Sequence, residues 1–98
     1  MLPYYTKEEP EMKQILMMIQ ESCPYCRKAR KFMEELQAEN SEYAEADIRL
    51  VDENIEVAFA DSLDYYYVPT YYVDGKKIHE GAASREDVRA VLDAALEK

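Results

Sequence analysis

The stretch Lys13–Lys28, KQILMMIQESCPYCRK, decides how the rest of the chain is read. Its first half, Lys13 to Gln20, is polar at both ends and continuously apolar between. A short unbroken apolar run of this kind suits a central strand covered on both faces. Glu21 and Ser22 end it. Pro24 then fits the first turn of a helix, where its missing N–H costs nothing. Ala29, Phe32, Met33 and Leu36 recur at helical spacing, with Arg27, Lys28, Lys31, Glu34 and Glu35 on the polar face, and Asn40 as terminator. Cys23 therefore sits just before the helix and Cys26 in its first turn.

That placement has chemical consequences. The start of a helix presents unpaired backbone N–H groups and positive potential, which favour a thiolate at Cys23. Arg27 and Lys28 add positive charge, so the pKa of Cys23 is expected to be low. Cys26 lies within reach to attack a mixed disulfide formed on Cys23. As a staple the pair is poor, because two intervening residues close a very short loop. The chain has two cysteines and one histidine, His79, so a metal site would have to recruit carboxylates and none is expected. Two buried small hydrophobes remain the bland alternative for the pair.

Working outward, Tyr43 to Val51 alternates apolar and polar residues and predicts a strand. Asp52 reads as the N-cap of a helix through about Leu63, with Ile55, Phe59 and Leu63 on one side. Tyr71 to Val73 has strong strand propensity. Asp74-Gly75 signals a hairpin turn, and Lys76 to His79 is the returning strand. Gly81 breaks the pattern. Ser84 and Asp87 have capping-box spacing before a last helix marked by Val88, Val91, Leu92 and Leu96. The predicted order is β-α-β-α-β-β-α: an α/β fold with a mixed four-stranded sheet flanked by three helices. Residues 1–12 are read as a short N-terminal arm, and the 98 residues as a single domain.

The formal charge of -9 disfavours nucleic acid as a partner. It is unevenly placed: Phe32 to Tyr67 holds eleven acidic residues and one basic residue, whereas Arg27 to Lys31 holds four basic ones. The run Ile15–Ile19 is too short to span a bilayer, and no secretory leader is read, so a cytoplasmic, non-membrane protein is expected. A monomer is expected.

These features resemble the thioredoxin superfamily, with small dithiol glutaredoxins and glutaredoxin-like thioredoxins as the nearest members, over Lys13 to Leu96. Cys23-Pro24-Tyr25-Cys26 is the dithiol sequence typical of glutaredoxins. Val68-Pro69-Thr70 looks like the family's cis-proline loop. Asp74-Gly75-Lys76 with Glu80-Gly81 looks like the terminal hairpin and the glycine before the last helix. The resemblance implies a thiol-disulfide oxidoreductase that reduces protein or glutathione mixed disulfides, with Cys23 as nucleophile and Cys26 as resolving thiol. Pro69 would be cis and face the dithiol, and the backbone of Val68 would pair with the substrate. Pro24, Tyr25, Arg27, Tyr67, Gly81 and Ser84 complete the expected substrate-binding set. No bound cofactor is implied. Glutathione or a reductase would supply electrons.

The chain departs from both branches of the family. Gln20 stands where glutaredoxins often carry a lysine for glutathione, and Gly81-Ala82 replaces a glycine pair. Ser84 with Arg85, and Arg27 or Arg30, are the remaining groups for its carboxylates. Thioredoxins have tryptophan before the first cysteine, Gly-Pro between the two, and a buried aspartate where this chain has Met17. Tyr71 and Tyr72 are read as strand side chains packed on the helices with hydroxyls reaching water. Two further readings are an adaptor module, in which the tyrosine-rich groove binds a partner and the thiols are dispensable, and an iron-sulfur carrier, which the intact Cys26 disfavours.

Overall fold

The structure is a computed structural model that describes residues 13–96. The arm expected over residues 1–12 lies outside the described residues. The elements are β1 Ile15–Ile19, α1 Pro24–Glu39, α2 Ser41–Ala44, β2 Ile48–Asp52, α3 Val57–Asp61, β3 Thr70–Val73, β4 Lys76–Glu80 and α4 Arg85–Leu96. The four strands form one sheet in the order β2-β1-β3-β4. β1 runs parallel to β2 and antiparallel to β3, and β3 runs antiparallel to β4. This is the thioredoxin-like arrangement that the sequence predicts.

Side chains alternate across a strand, so β1 feeds two cores. Ile15, Met17 and Ile19 join Tyr71 and Val73 of β3 under α1 and α4, together with Cys26, Met33, Leu36, Val88, Val91 and Leu92. Met18 faces the other way, with Val51, Ala60 and Tyr72, under the shorter α3. Burial on both faces is what an unbroken apolar strand requires. Asp74 and Gly75 both take positive φ, 53° and 84°, the pair of conformations that closes a two-residue hairpin between β3 and β4.

Two expected elements are corrected. The strand predicted from Tyr43 begins only at Ile48. The Asn40 side chain accepts a hydrogen bond from Glu42 N at 2.9 Å and caps the one-turn helix α2. Tyr43 turns inward there, and its hydroxyl donates to Asp93 Oδ1 at 2.6 Å. The helix predicted over Asp52–Leu63 shrinks to Val57–Asp61. Asp52 caps a turn instead: Oδ1 accepts from Asn54 N at 2.8 Å and Oδ2 from Glu21 N at 3.1 Å. A side chain that satisfies nearby backbone donors offers the chain an alternative to helix. Ile55, expected on the packed side, is 78% exposed as a result.

Candidate active site

The register brings four separated segments to one end of the sheet. β1 ends at Ile19, opposite Asp52 of β2. Met18 pairs with Thr70 at the start of β3, and Thr70 pairs with Glu80 at the end of β4. The loop Gln20–Cys23, Glu53, Pro69 and Gly81 therefore all follow or precede strands at that same end.

Cys23 is the N-cap of α1 and Pro24 its first residue. The cap is closed by the backbone: Cys23 N donates to Gln20 O and Arg27 N to Cys23 O, both at 3.1 Å. Cys23 is partly exposed and Cys26 buried, and both are free thiols. Partial burial opposes ionisation of Cys23. Its pKa nonetheless lies below the ordinary thiol value, because the Cys26 N–H, the Cys26 thiol and the Tyr25 N–H donate to its sulfur and Arg27 adds positive charge. Cys26 goes the other way. Burial pushes its pKa up to about 12, against the pull of the Gln20 N–H, with Cys23 and Glu53 adding to the rise. One thiol is set to ionise and its neighbour is set to hold its proton.

The Val68-Pro69 peptide is cis. Pro69 is fully buried, its carbonyl accepts from Gly81 N at 2.7 Å, and the Thr70 hydroxyl donates to Tyr67 O. Val68 and Cys23 both pack against the core under α1 and α4. Gly81 has φ of 95°, in the left-handed region that favours glycine. Tyr25 and Tyr67 are 60% and 69% exposed, and Tyr66 is exposed as well. Arg27 donates to Glu21 O at 3.3 Å. Ser84 is committed to its own helix: its N–H donates to Asp87 Oδ2 at 3.0 Å and its Oγ accepts from Asp87 N at 3.1 Å. Arg85 is held by Glu35 and Glu39.

Two carboxylates of this region, Glu53 and Glu80, make ties to which the sequence assigns no role. Gln20 Nε2 donates to Glu53 Oε2, and the Tyr65 hydroxyl donates to Glu53 Oε1 at 2.6 Å. Glu53 thus ties the dithiol loop to the segment before Pro69. Glu80 holds that segment from the other side, accepting from Tyr67 N at 3.0 Å and from Lys77 Nζ at 2.8 Å, with Tyr66 N as a third donor. Apart from Lys77, three residues from Glu80, their partners are 12 to 33 residues away in the chain, and no local pattern marks such pairs.

Lys77 first, then the Tyr66 N–H, lower the Glu80 pKa to about 2. A carboxyl depressed by folding stabilises the fold above its ordinary value, and that contribution is lost as pH falls through the folded value. The Tyr66–Tyr67 segment is therefore expected to loosen between about pH 4.5 and about pH 2. Glu80→Gln should loosen it at neutral pH, read as faster amide exchange at Tyr66 and Tyr67. Exchange unchanged from wild type would count against this role.

A family model described as thioredoxin domain matches residues 13–93. The chain belongs to the thioredoxin domain family. Solved structures agree in fold. A thioredoxin variant from Halobacterium salinarum is 18% identical with a TM-score of 0.62, over 86% of this chain and 74% of that one. Oxidised thioredoxin from Plasmodium falciparum is 18% identical with a TM-score of 0.61, over 89% and 84%. A thioredoxin-like protein from Clostridium perfringens is 20% identical with a TM-score of 0.60, over 89% and 73%. No curated protein matches the chain.

These matches overturn one expectation. The chain does not group with the dithiol glutaredoxins and glutaredoxin-like thioredoxins, but with thioredoxin homologues. Four residues, Cys23 to Cys26, carried the glutaredoxin likeness, whereas the thioredoxin match extends over the whole sheet and its helices. A thioredoxin fold with two thiols at this spacing supports thiol-disulfide oxidoreductase activity in general. Among the described residues, no three His, Cys, Asp or Glu side chains converge as metal ligands, and no helix is long and apolar enough to cross a membrane.

Proposed function

We propose that this thioredoxin-domain protein reduces disulfides in proteins, with Cys23 as the attacking thiol and Cys26 as the resolving one. The observation that carries the reading is the opposed setting of the two thiols, Cys23 lowered and Cys26 raised to about 12. The Cys23 thiolate attacks one sulfur of the substrate disulfide. That S–S bond breaks, and the other sulfur leaves with the electron pair and takes a proton from solvent. Cys26 then gives up its proton and attacks Cys23 Sγ. The Cys23–substrate bond breaks, the second substrate thiol leaves, and the Cys23–Cys26 disulfide forms. The substrate gains two electrons and the protein loses two.

The exposed tyrosines Tyr25, Tyr66 and Tyr67 are amphipathic side chains suited to contact an extended peptide, whose backbone would pair with Val68 beside Pro69. Electrons return to the pair from a reductase or from reduced glutathione, in the reducing cytoplasm. The test is catalysed reduction of a disulfide-linked protein, driven by a small dithiol. The native protein is expected to accelerate it at micromolar concentration, and a variant with both cysteines changed to serine is not. Equal rates for the two would refute the reading. A partner held equally well by the double variant would instead make the domain an adaptor.

A further inference from the structure

Three tyrosines packed in or against the two cores differ in where their hydroxyls end. Tyr72 donates to Asp64 O at 3.1 Å. Tyr71 is 0% exposed, and its hydroxyl has no hydrogen-bond partner among the described residues. The expectation that these hydroxyls reach water is therefore corrected for Tyr71. Tyr65 reaches across to another segment, donating to Glu53 Oε1 at 2.6 Å. Burial, and then this bond, raise its phenol above the ordinary value, so it remains a donor.

Glu53 is tied on three sides. Its N–H donates to Ile19 O at 2.9 Å, at the end of β1. Its Oε2 accepts from Gln20 Nε2, and the Gln20 carbonyl accepts from Cys23 N at 3.1 Å. Its Oε1 takes Tyr65, which packs against the same buried cluster as Val68. The ladder between β1 and β3 ends at Met18 and Thr70, so it does not join the loops beyond. Among the described residues, Glu53 is the only side chain hydrogen-bonded to both the turn that carries Cys23 and the segment that leads into cis Pro69. Both side-chain donors are neutral, so this tie depends on where the two oxygens lie and not on an ion pair.

We propose that Glu53 is a positioning residue for disulfide exchange: it sets the separation between the Cys23 sulfur and the Val68 backbone, the two points that hold an extended substrate. The inference deepens the reading of Cys23 as the attacking thiol and rests on it. The thiolate must meet the substrate sulfur along the S–S axis while the substrate backbone is paired at Val68. A misplacement of about 1 Å between such anchors can cost about a hundredfold in rate. The chemistry of the step is unchanged. The new S–S bond forms at Cys23, the substrate S–S bond breaks, the leaving sulfur carries off the electron pair, and Glu53 exchanges no proton.

The test uses the Cys26→Ser protein, in which the first attack is trapped, and a disulfide-linked peptide. Tyr65→Phe removes one oxygen and leaves the Glu53 charge in place. Adduct formation should slow about tenfold. Alkylation of Cys23 by a small reagent, which has no backbone to place at Val68, should keep its rate. Glu53→Ala should slow adduct formation as much, and the double variant no further, because both changes cut one tie. Glu53→Gln should stay close to the parent rate. Its carbonyl oxygen accepts from Tyr65, and its amide donates to the Gln20 oxygen once that side chain turns over. A purely electrostatic role would not be repaired in this way, so Glu53→Gln as slow as Glu53→Ala would overturn the proposal. Equal slowing of peptide and small reagent, the mark of a loosened fold, would overturn it too. If Glu53→Ala fails to fold, Tyr65→Phe decides. Parent adduct rates in the Tyr65 variant sink the proposal alone and leave the reading of Cys23 intact. No adduct from the Cys26→Ser protein itself sinks both.

Discussion

Cys23→Ser is expected to lower the rate of disulfide exchange by about a thousandfold or more, because the nucleophile is gone. Cys26 cannot take over. It is buried, and at neutral pH a thiol whose pKa is raised to about 12 is almost wholly protonated. Cys26→Ser should behave differently. Cys23 keeps its place at the head of α1, so the first attack proceeds and the substrate stays attached. The measurement is non-reducing electrophoresis and mass after mixing with a disulfide-bearing protein. A long-lived covalent adduct is expected for Cys26→Ser and none for Cys23→Ser. Adducts through the wrong cysteine would reverse the assigned roles.

The second large effect is on stability. Leu92 is 0% exposed, at the centre of the buried stripe of α4 that also holds Val88, Val91 and Ala95. α4 covers the face of the sheet that carries Met17 and Tyr71 and lies beside α1. Leu92→Ala leaves a cavity that neighbouring side chains fill only in part, at a cost of about 2–5 kcal/mol. Small domains hold about 5–15 kcal/mol in total. In a domain of this size each kcal/mol moves the midpoint by about 4–8 °C, so Tm should fall by about 10 °C or more. Thermal unfolding followed by circular dichroism checks this. A fall of only a degree or two would mean that α4 is not packed as described. Below the new midpoint, the alkylation rate of Cys23 should be close to wild type, since its electrostatics come from α1.

The parts legible in the sequence are those set by local rules. The unbroken apolar run of β1, the periodic stripe of α1, the Asp74-Gly75 turn and the Ser84–Asp87 cap each follow from residues a few positions apart, and each is present. The misread region, residues 41–61, is where the Asn40 and Asp52 side chains bond the backbone. Asp52 has the residue type of a helix cap, but it is drawn to Glu21 N and Asn54 N, and the first of these comes from a distant loop. The dithiol was plain from its spacing. Its surroundings were not, because Gln20, Glu53, Tyr65 and Glu80 gain their meaning only from strand register. The same holds for Tyr71, where a period-two pattern shows which face it occupies and says nothing of where its hydroxyl ends.

The difference in ionisation between the two thiols is the core of the account, and one titration tests it. The reduced protein is treated with a small alkylating agent across pH 5 to 10, chosen as a window around the ordinary thiol value of about 8.5, and each cysteine is followed by mass. The predicted result is reaction at Cys23 with a midpoint below that of a free thiol, while Cys26 stays unmodified over the range. Parallel reaction of both cysteines with an ordinary thiol midpoint would contradict it.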